Sequence, residues 1–365
     1  MSWSLFTLAW LHDIDPFLLR ISGNFGIRWY GIAYLLGFAF GYFVLRQLAR
    51  KKLIPLTPEM VSDFILAVII GILAGGRLGS VFFYNIDLLW TFTKDPPWWG
   101  VLAINKGGMA SHGGMIGCLV ASWLFARKHK LRLLSLTDLI TFAAPFGLFA
   151  GRIANFINGE LLGRVVPPGE HLPWAVKFPQ EMSIYWDTDR LARLEPLCYR
   201  FSIEPGTWIH ALANPEDKAS VNLIYRFTQQ LTEAIQHHDK AVIAVVEPLL
   251  SPRHPSQLYQ AFAEGIVLGL IMLIIWAKPR RTGVLTAWFL MVYGVLRIVT
   301  EYWRLPDVNL AVKRIAGLSR GQLLSIPLIL AGGFILYYSL KNKPDKQGGW
   351  LSGRKIREEE TTPTI

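Results

Sequence analysis

Runs of about twenty apolar residues, separated by short polar loops, recur along this 365-residue chain, and no other feature constrains its fold as tightly. A helix rises ~1.5 Å per residue, so about twenty residues cross a hydrocarbon core roughly 30 Å thick. In hydrocarbon every backbone N–H and C=O must find its partner within the segment, which selects the helix for each run. The runs fall at about 27–48, 61–84, 108–126, 136–158, 256–277, 283–303 and 321–340. The expectation is an all-α polytopic membrane protein with seven transmembrane helices.

Charge sets the orientation. Arg46, Arg50, Lys51 and Lys52 follow the first run, and Arg127, Lys128, His129, Lys130 and Arg132 follow the third. Lys278, Arg280 and Arg281 follow the fifth, and Lys341 and Lys343 the seventh. Basic residues at membrane ends mark the cytoplasmic side. The N-terminus is therefore expected in the periplasm and the C-terminus in the cytoplasm of a multi-pass inner-membrane protein. This pattern accounts for the net charge of +11 without a nucleic-acid partner. The chain divides into a periplasmic amphipathic segment 1–26, helices one to four over 27–163, a periplasmic insert 164–252, helices five to seven over 253–340, and a disordered cytoplasmic tail 341–365. Within the insert, Val221–Val246 reads as helical. Asp13 and Asp15 interrupt any secretory signal pattern. The two cysteines, Cys118 and Cys198, are not expected to pair, and no Cys/His cluster implies a metal or cofactor.

The stretch Pro145–Arg164, PFGLFAGRIANFINGELLGR, places Arg152, Asn155, Asn158, Glu160 and Arg164 among four glycines from Gly147 to Gly163. An arginine in hydrocarbon costs roughly 2.5–3.5 kcal/mol on insertion scales, which points to a polar cavity or an anion at Arg152. Asn158 and Gly159 suit a helix end. In the sixth run Tyr293, Arg297 and Glu301 share one helical face. Arg297 and Glu301 read either as a structural ion pair or as an anion-facing arginine held by its carboxylate. Arg77, between Gly75, Gly76 and Gly79, reads equally as a pairing or a functional arginine, and Tyr30 and Tyr84 suit an aromatic belt. Glycines on both sides of His112 in KGGMASHGG make an easily bent backbone and leave two roles for the histidine, proton acceptor or backbone-bonded ring. In RHPSQLY, Pro255 suits a first helical turn and His254 or Ser256 a cap. By the charge-based orientation, these polar residues gather toward the outer leaflet. Two arginines at one depth repel unless an anion lies between them, and a phosphate fits both forks. No HExxH or GxSxG pattern supplies a nucleophile of the chain's own.

GGRLGSVFFYN at 75–85, GGMASHGG at 107–114, GRIANFINGELLGR at 151–164, HPSQLY at 254–259 and YGVLRIVTEYWRLPD at 293–307 together resemble the bacterial prolipoprotein diacylglyceryl transferases, block by block and in order. The resemblance implies an enzyme without cofactors whose partners are membrane lipid and preproteins. Such an enzyme moves the diacylglyceryl group of phosphatidylglycerol to the lipobox cysteine thiol of preprolipoproteins and releases glycerol phosphate. It implies headgroup binding by Arg152, an essential Arg297, and functional positions at His112, Asn155, Glu160, Gly163, Tyr293, Glu301, Tyr30 and Tyr84. Arg77 joins the expected substrate-binding set. Ala154, where the family often has glycine, and the long 164–252 insert are the departures. An anion transporter or lipid flippase is the competing class. It needs polar residues along a whole path, whereas the inner halves of most runs are apolar.

Overall fold

The computed structural model of the chain describes residues 9–22, 25–94, 96–103, 108–305, 314–315 and 317–351. Helices dominate: α1 Trp29–Arg50, α2 Pro58–Tyr84, α3 Ser111–Lys128, α4 Leu133–Ile157, α5 Thr188–Ala192, α6 Pro205–Ala213, α7 Lys218–Gln236, α8 Lys240–Val246, α9 Ser256–Gln260, α10 Leu268–Ile275, α11 Val284–Thr300 and α12 Arg320–Asn342. A π-helical segment, Ala261–Val267, joins α9 to α10. Among the described residues, five helices are long and apolar enough to cross a membrane: Trp29–Arg50, Pro58–Tyr84, Leu133–Ile157, Ser256–Ile275 and Gly321–Asn342. The expected third and sixth spans are weaker. α3 has 18 residues but carries Ser, His and Gly in its first turn, and α11 has only 17.

Two compact units share the chain. The first is Met1–Tyr34, Leu148–Gly265 and Val295–Ile326, and the second is Leu35–Gly147, Ile266–Gly294 and Pro327–Ile365.

In the second unit α2 and α3 lie against each other through glycine. A methyl on Gly75 would overlap the Gly113 carbonyl oxygen, and one on Gly79 the Gly113 backbone. Small residues at this spacing let two backbones approach closely, as membrane helices often do. The glycines around His112, expected to bend the chain, thus serve in part to pack a regular helix. At the other end of these helices, strand β6 Pro279–Arg281 pairs antiparallel with β9 Lys346–Gly348. The expected disorder from Lys341 onward is therefore corrected for residues up to 351; the rest of that tail lies outside the described residues. β9 is held because Gln347, buried, donates to the Asp138 carboxylate at 3.1 Å and to the Ser135 carbonyl at 3.1 Å. Asp138 also accepts from the Gly283 and Thr286 amides, both at 2.8 Å, so α4, α11 and the tail converge on one buried carboxylate.

In the first unit the N-terminal segment forms strands rather than a single amphipathic stretch. β2 Phe17–Ser22 and β3 Phe25–Arg28 make a hairpin. β1 Trp10–Leu11 runs parallel to β4 Val176–Lys177, which pairs antiparallel with β5 Pro252–Arg253. The insert has its own apolar core, with Leu194, Trp208, Phe227, Leu231, Ile235, Val242 and Val246 all fully buried. Its predicted helical part is α7 and α8, broken at His238, whose φ of 58° turns the chain.

His12 closes this unit beside β1. Its ring is fully buried among Trp10, Phe156 and Phe178, and Nε2 donates to the Phe156 carbonyl at 2.8 Å. Burial pushes its pKa down to about 4, against the pull of that hydrogen bond. The unfolded chain therefore binds a proton more readily than the folded one. Stability is complete above the ordinary histidine value of about 6.5 and falls as pH drops toward about 4, by at most ~3 kcal/mol. Thermal unfolding of purified protein in detergent should show this loss between about pH 7 and pH 4, and His12→Gln should flatten that part of the profile. An unchanged profile in the variant would refute the assignment.

Candidate functional site

The end of α4 sets the first side of the site. Gly159 adopts φ 64°, its amide donates to Phe156 O at 2.9 Å, and the Glu160 amide donates to Asn155 O at 3.0 Å. This pair of bonds is a Schellman turn, so Asn158 and Gly159 do end the helix. The turn also folds Glu160 back over the last helical turn. Its carboxylate accepts from Tyr30 Oη at 2.7 Å and from Asn158 Nδ2 at 3.4 Å. Asn155 Nδ2 donates to the Tyr30 hydroxyl, and more weakly to Glu160 at 3.5 Å. Three residues expected at the site, Tyr30, Asn155 and Glu160, thus form one hydrogen-bonded cluster.

The second side comes from the π segment. Each π turn holds an extra residue, and such segments are frequent at functional sites. Here it carries Glu264, fully buried. Gly265 lies so close to Phe149 that a methyl would strike the phenylalanine Cβ at 2.5 Å. That close approach lets the Arg152 Nε and Nη2 donate to one oxygen of Glu264, at 3.1 and 2.9 Å. The other oxygen accepts from Arg297 Nη1 at 3.4 Å and from Thr300 Oγ1 at 3.4 Å. The two arginines singled out by sequence therefore meet on different oxygens of one carboxylate. Their side chains stay 15% and 13% exposed.

Glu301 continues the array. Its carboxylate lies 3.4 Å from Arg297 Nη2 and 3.6 Å from Arg304 Nη1, and accepts from Ser319 Oγ at 3.1 Å. Within this set three guanidinium groups face two carboxylates. Beside it a cavity of about 370 Å³ is lined by Arg164, Glu301, Tyr302, Arg304, Ser319 and Gln322.

Gly163 threads between these parts. Arg253 Nη1 donates to its carbonyl at 3.1 Å, and a methyl there would overlap the His254 carbonyl oxygen. Neighbouring backbone bonds, Arg164 N to Trp303 O at 2.9 Å and His254 N to Arg164 O at 3.0 Å, lace three segments together. The Arg253 guanidinium is in turn buried against Glu181 at 2.5 Å, which ties the insert to this junction. His254 and Ser256 do not cap α9. Pro255 stands at the cap position, and Ser256 Oγ donates to Leu161 O at 3.0 Å.

The remaining expected residues lie in the second unit. Arg77 is buried and donates to the carbonyls of Val101 at 2.7 Å, Gly100 at 2.6 Å and Gly108 at 3.0 Å, holding the segment before α3. His112 is exposed in the first turn of α3, Tyr84 is exposed at the end of α2, and Tyr293 stacks on Phe289. Lys106 and Gly107 of the KGGMASHGG block, and Pro306 and Asp307 of the last one, lie outside the described residues.

Sequence reasoning passed over Glu264, Arg304 and the Glu181–Arg253 pair. A signal for Glu264 was present: it is the single charged residue in the run 256–277, and an acid within an apolar span marks a functional position by default. Removing one partner of a buried ion cluster leaves the others uncompensated, at a typical cost of roughly 3–5 kcal/mol. Glu264→Ala is therefore expected to lower the thermal midpoint in detergent markedly. A midpoint equal to wild type would show that the two arginines do not depend on the carboxylate.

The family model described as prolipoprotein diacylglyceryl transferase matches residues 16–338. Among curated relatives, the phosphatidylglycerol–prolipoprotein diacylglyceryl transferase of Bdellovibrio bacteriovorus is 42% identical over 351 residues, covering 95% of this chain and 99% of that one. The similarly named proteins of Photorhabdus laumondii and Neisseria gonorrhoeae are 34% and 36% identical, over 92% and 89% of this chain and 95% and 96% of theirs.

Proposed function

This chain belongs to the prolipoprotein diacylglyceryl transferase family, and from that premise we propose how its own residues carry out the transfer. The protein is a multi-pass transferase of the bacterial inner membrane. It moves the diacylglyceryl group of phosphatidylglycerol to the lipobox cysteine thiol of preprolipoproteins, forming a thioether and releasing glycerol phosphate. The names of these relatives lend no support to a transporter or flippase.

In our reading α3 and α11 join the five strongly apolar helices as the third and sixth of seven spans. The N-terminus and the insert then lie in the periplasm and the C-terminus in the cytoplasm, in keeping with the basic residues after spans one, three, five and seven. That orientation puts the Arg152 end of α4 and the Arg297 end of α11 toward the outer leaflet.

The observation that carries the mechanism is the meeting of Arg152 and Arg297 on Glu264. Glu264 holds two cations close together, and a phosphodiester suits a pair of guanidinium forks. Phosphatidylglycerol enters sideways from lipid, and its phosphate lies on the guanidinium edges that remain exposed. Tyr30, Asn155 and Glu160 offer donors and acceptors for the headgroup glycerol hydroxyls, while Gly163 and Glu301 shape and support the same substrate site. Tyr84 and Tyr293 keep a substrate-binding role by the family resemblance alone, and Arg77 positions the segment that leads into α3.

The incoming thiol, ordinarily titrating near pH 8.5, is made a better nucleophile by loss of its proton. His112 is our candidate for taking it. The thiolate attacks the diacylglyceryl carbon that bears the phosphate oxygen. The C–S bond forms as that C–O bond breaks, and the electron pair leaves on glycerol phosphate. Charge developing on the leaving phosphate is met by Arg152 and Arg297, which are already oriented and need no reorganisation. Arg164 and Arg304, at the neighbouring cavity, extend the positive surface along which the product departs.

Arg152→Ala is expected to abolish release of glycerol phosphate from phosphatidylglycerol vesicles supplied with a lipobox peptide, while the protein still inserts. Wild-type turnover would remove the phosphate role. Arg297→Lys keeps the charge but loses the planar fork. Its rate should fall at least about tenfold, the equivalent of ~1.4 kcal/mol of transition-state binding. An unchanged rate would reduce Arg297 to charge balance.

A further inference from the structure

A second cavity, wholly within the other unit, is basic for a reason that membrane orientation alone does not supply. It measures about 410 Å³. Lys52, Lys130, Arg132 and Lys346 line it against a single acid, Asp345. Arg132 reaches Asp345 only at 3.8 Å, with both side chains largely exposed. Among the described residues no carboxylate pairs with Lys52, Lys130 or Lys346. Orienting charges need only lie in loops, and mutual repulsion favours their spreading apart. Here four come from three separate chain segments, after α1, after α3 and on β9, and converge on one hollow.

The walls are fixed. Lys52 and Lys130 occupy equivalent positions in two Schellman turns. Leu53 N donates to Leu48 O at 3.0 Å and Lys52 N to Ala49 O at 2.9 Å. Leu131 N donates to Ala126 O at 2.8 Å and Lys130 N to Arg127 O at 3.4 Å. Both lysines sit in the left-handed region, at φ 55° and 53°, where glycine is the usual residue. The third side is pinned because Gly348 N donates to Leu53 O at 2.7 Å and Gln347 is bonded to Ser135 and Asp138. Ile54, Pro55 and Leu131 add apolar surface to the lining. Cations around an apolar-walled hollow between membrane helices match an anionic headgroup.

We propose that this pocket binds a phosphate-bearing anion at the cytoplasmic surface, separately from the transfer site; its placement in the cytoplasm rests on the orientation proposed above. The phosphate can belong to an inner-leaflet lipid or be free in solution. Lys52, Lys130 and Lys346 contact it, and Arg132 is released from Asp345 to join them.

The backbone provides a clean test, because glycine suits both left-handed positions and Lys52→Gly with Lys130→Gly removes the charge without straining the turns. Full-length protein carrying Arg152→Ala, so that the transfer site is disabled, is purified in neutral detergent. Its unfolding is followed with dihexanoyl phosphatidic acid or with inorganic phosphate. Ligand that binds only the folded state raises the midpoint with concentration. A rise of a few degrees that disappears in the Lys52→Gly/Lys130→Gly protein is expected. A rise with the lipid alone identifies the lipid source, and an equal rise with inorganic phosphate identifies the free one. No rise with either, or a rise that survives both substitutions, overturns the proposal. In the background with Arg152 intact, Lys52→Gly/Lys130→Gly protein should still release glycerol phosphate, so loss of transfer through Arg152 and loss of this pocket are read separately.

Discussion

Two guanidinium groups in a poorly solvated place repel each other strongly, because little solvent lies between them to screen the charge. Glu264 removes that repulsion by giving one oxygen to Arg152 and the other to Arg297. Much else in the first unit serves this contact. The close approach of Gly265 to Phe149 brings the two helices near enough, and the π segment supplies the position. Glu301 then steadies Arg297 from its other edge and recruits Arg304. The result is a set of cations held ready in a fixed arrangement with limited exposure. A phosphate arriving there meets donors whose desolvation and orientation were settled during folding, which is how fixed dipoles and charges act on developing charge.

What sequence could and could not show follows from the range of the interactions. Apolar runs are local, so the five strongest spans lie close to where the runs predict them. Arg152 and Arg297 stood out because a charge in an apolar run is locally anomalous. Glu264 was equally anomalous within its own run, yet its meaning depends on partners 112 and 33 positions away. The β9 strand was illegible for the same reason. Its residues look like a solvated tail, and only its bonds to Ser135, Asp138 and Leu53 make it part of the fold. Glycine does two things in one run: Gly108 turns the chain at φ 81°, whereas Gly113 belongs to a regular helix pressed on Gly75.

Two buried carboxylates draw partners from distant parts of the sequence. Asp138 satisfies two backbone amides, a hydroxyl and Gln347, and Glu181 meets Arg253, Trp186 and the Ser251 amide. Each is costly if a partner is lost and adds little if all are present, the usual asymmetry of such groups. Their effect is to make each unit's assembly specific: the tail, the insert and the helix ends meet these partners in one arrangement.

The π segment carries a consequence for how such a chain can vary. Between Gln257, whose side chain holds the Glu160 carbonyl, and Glu264, which holds both arginines, the residue count determines the angular register of the helix. Dropping one residue while the wide turns persist would swing one anchor by roughly a quarter turn relative to the other, and restoring an ordinary helix instead would remove the wide turn that carries Glu264. Exposed apolar side chains such as Phe262 and Ile266 are free to be exchanged for others of similar character. The length of the segment is not. Lineages descended from a chain like this one can therefore drift in composition along the helix while remaining unable to shorten it.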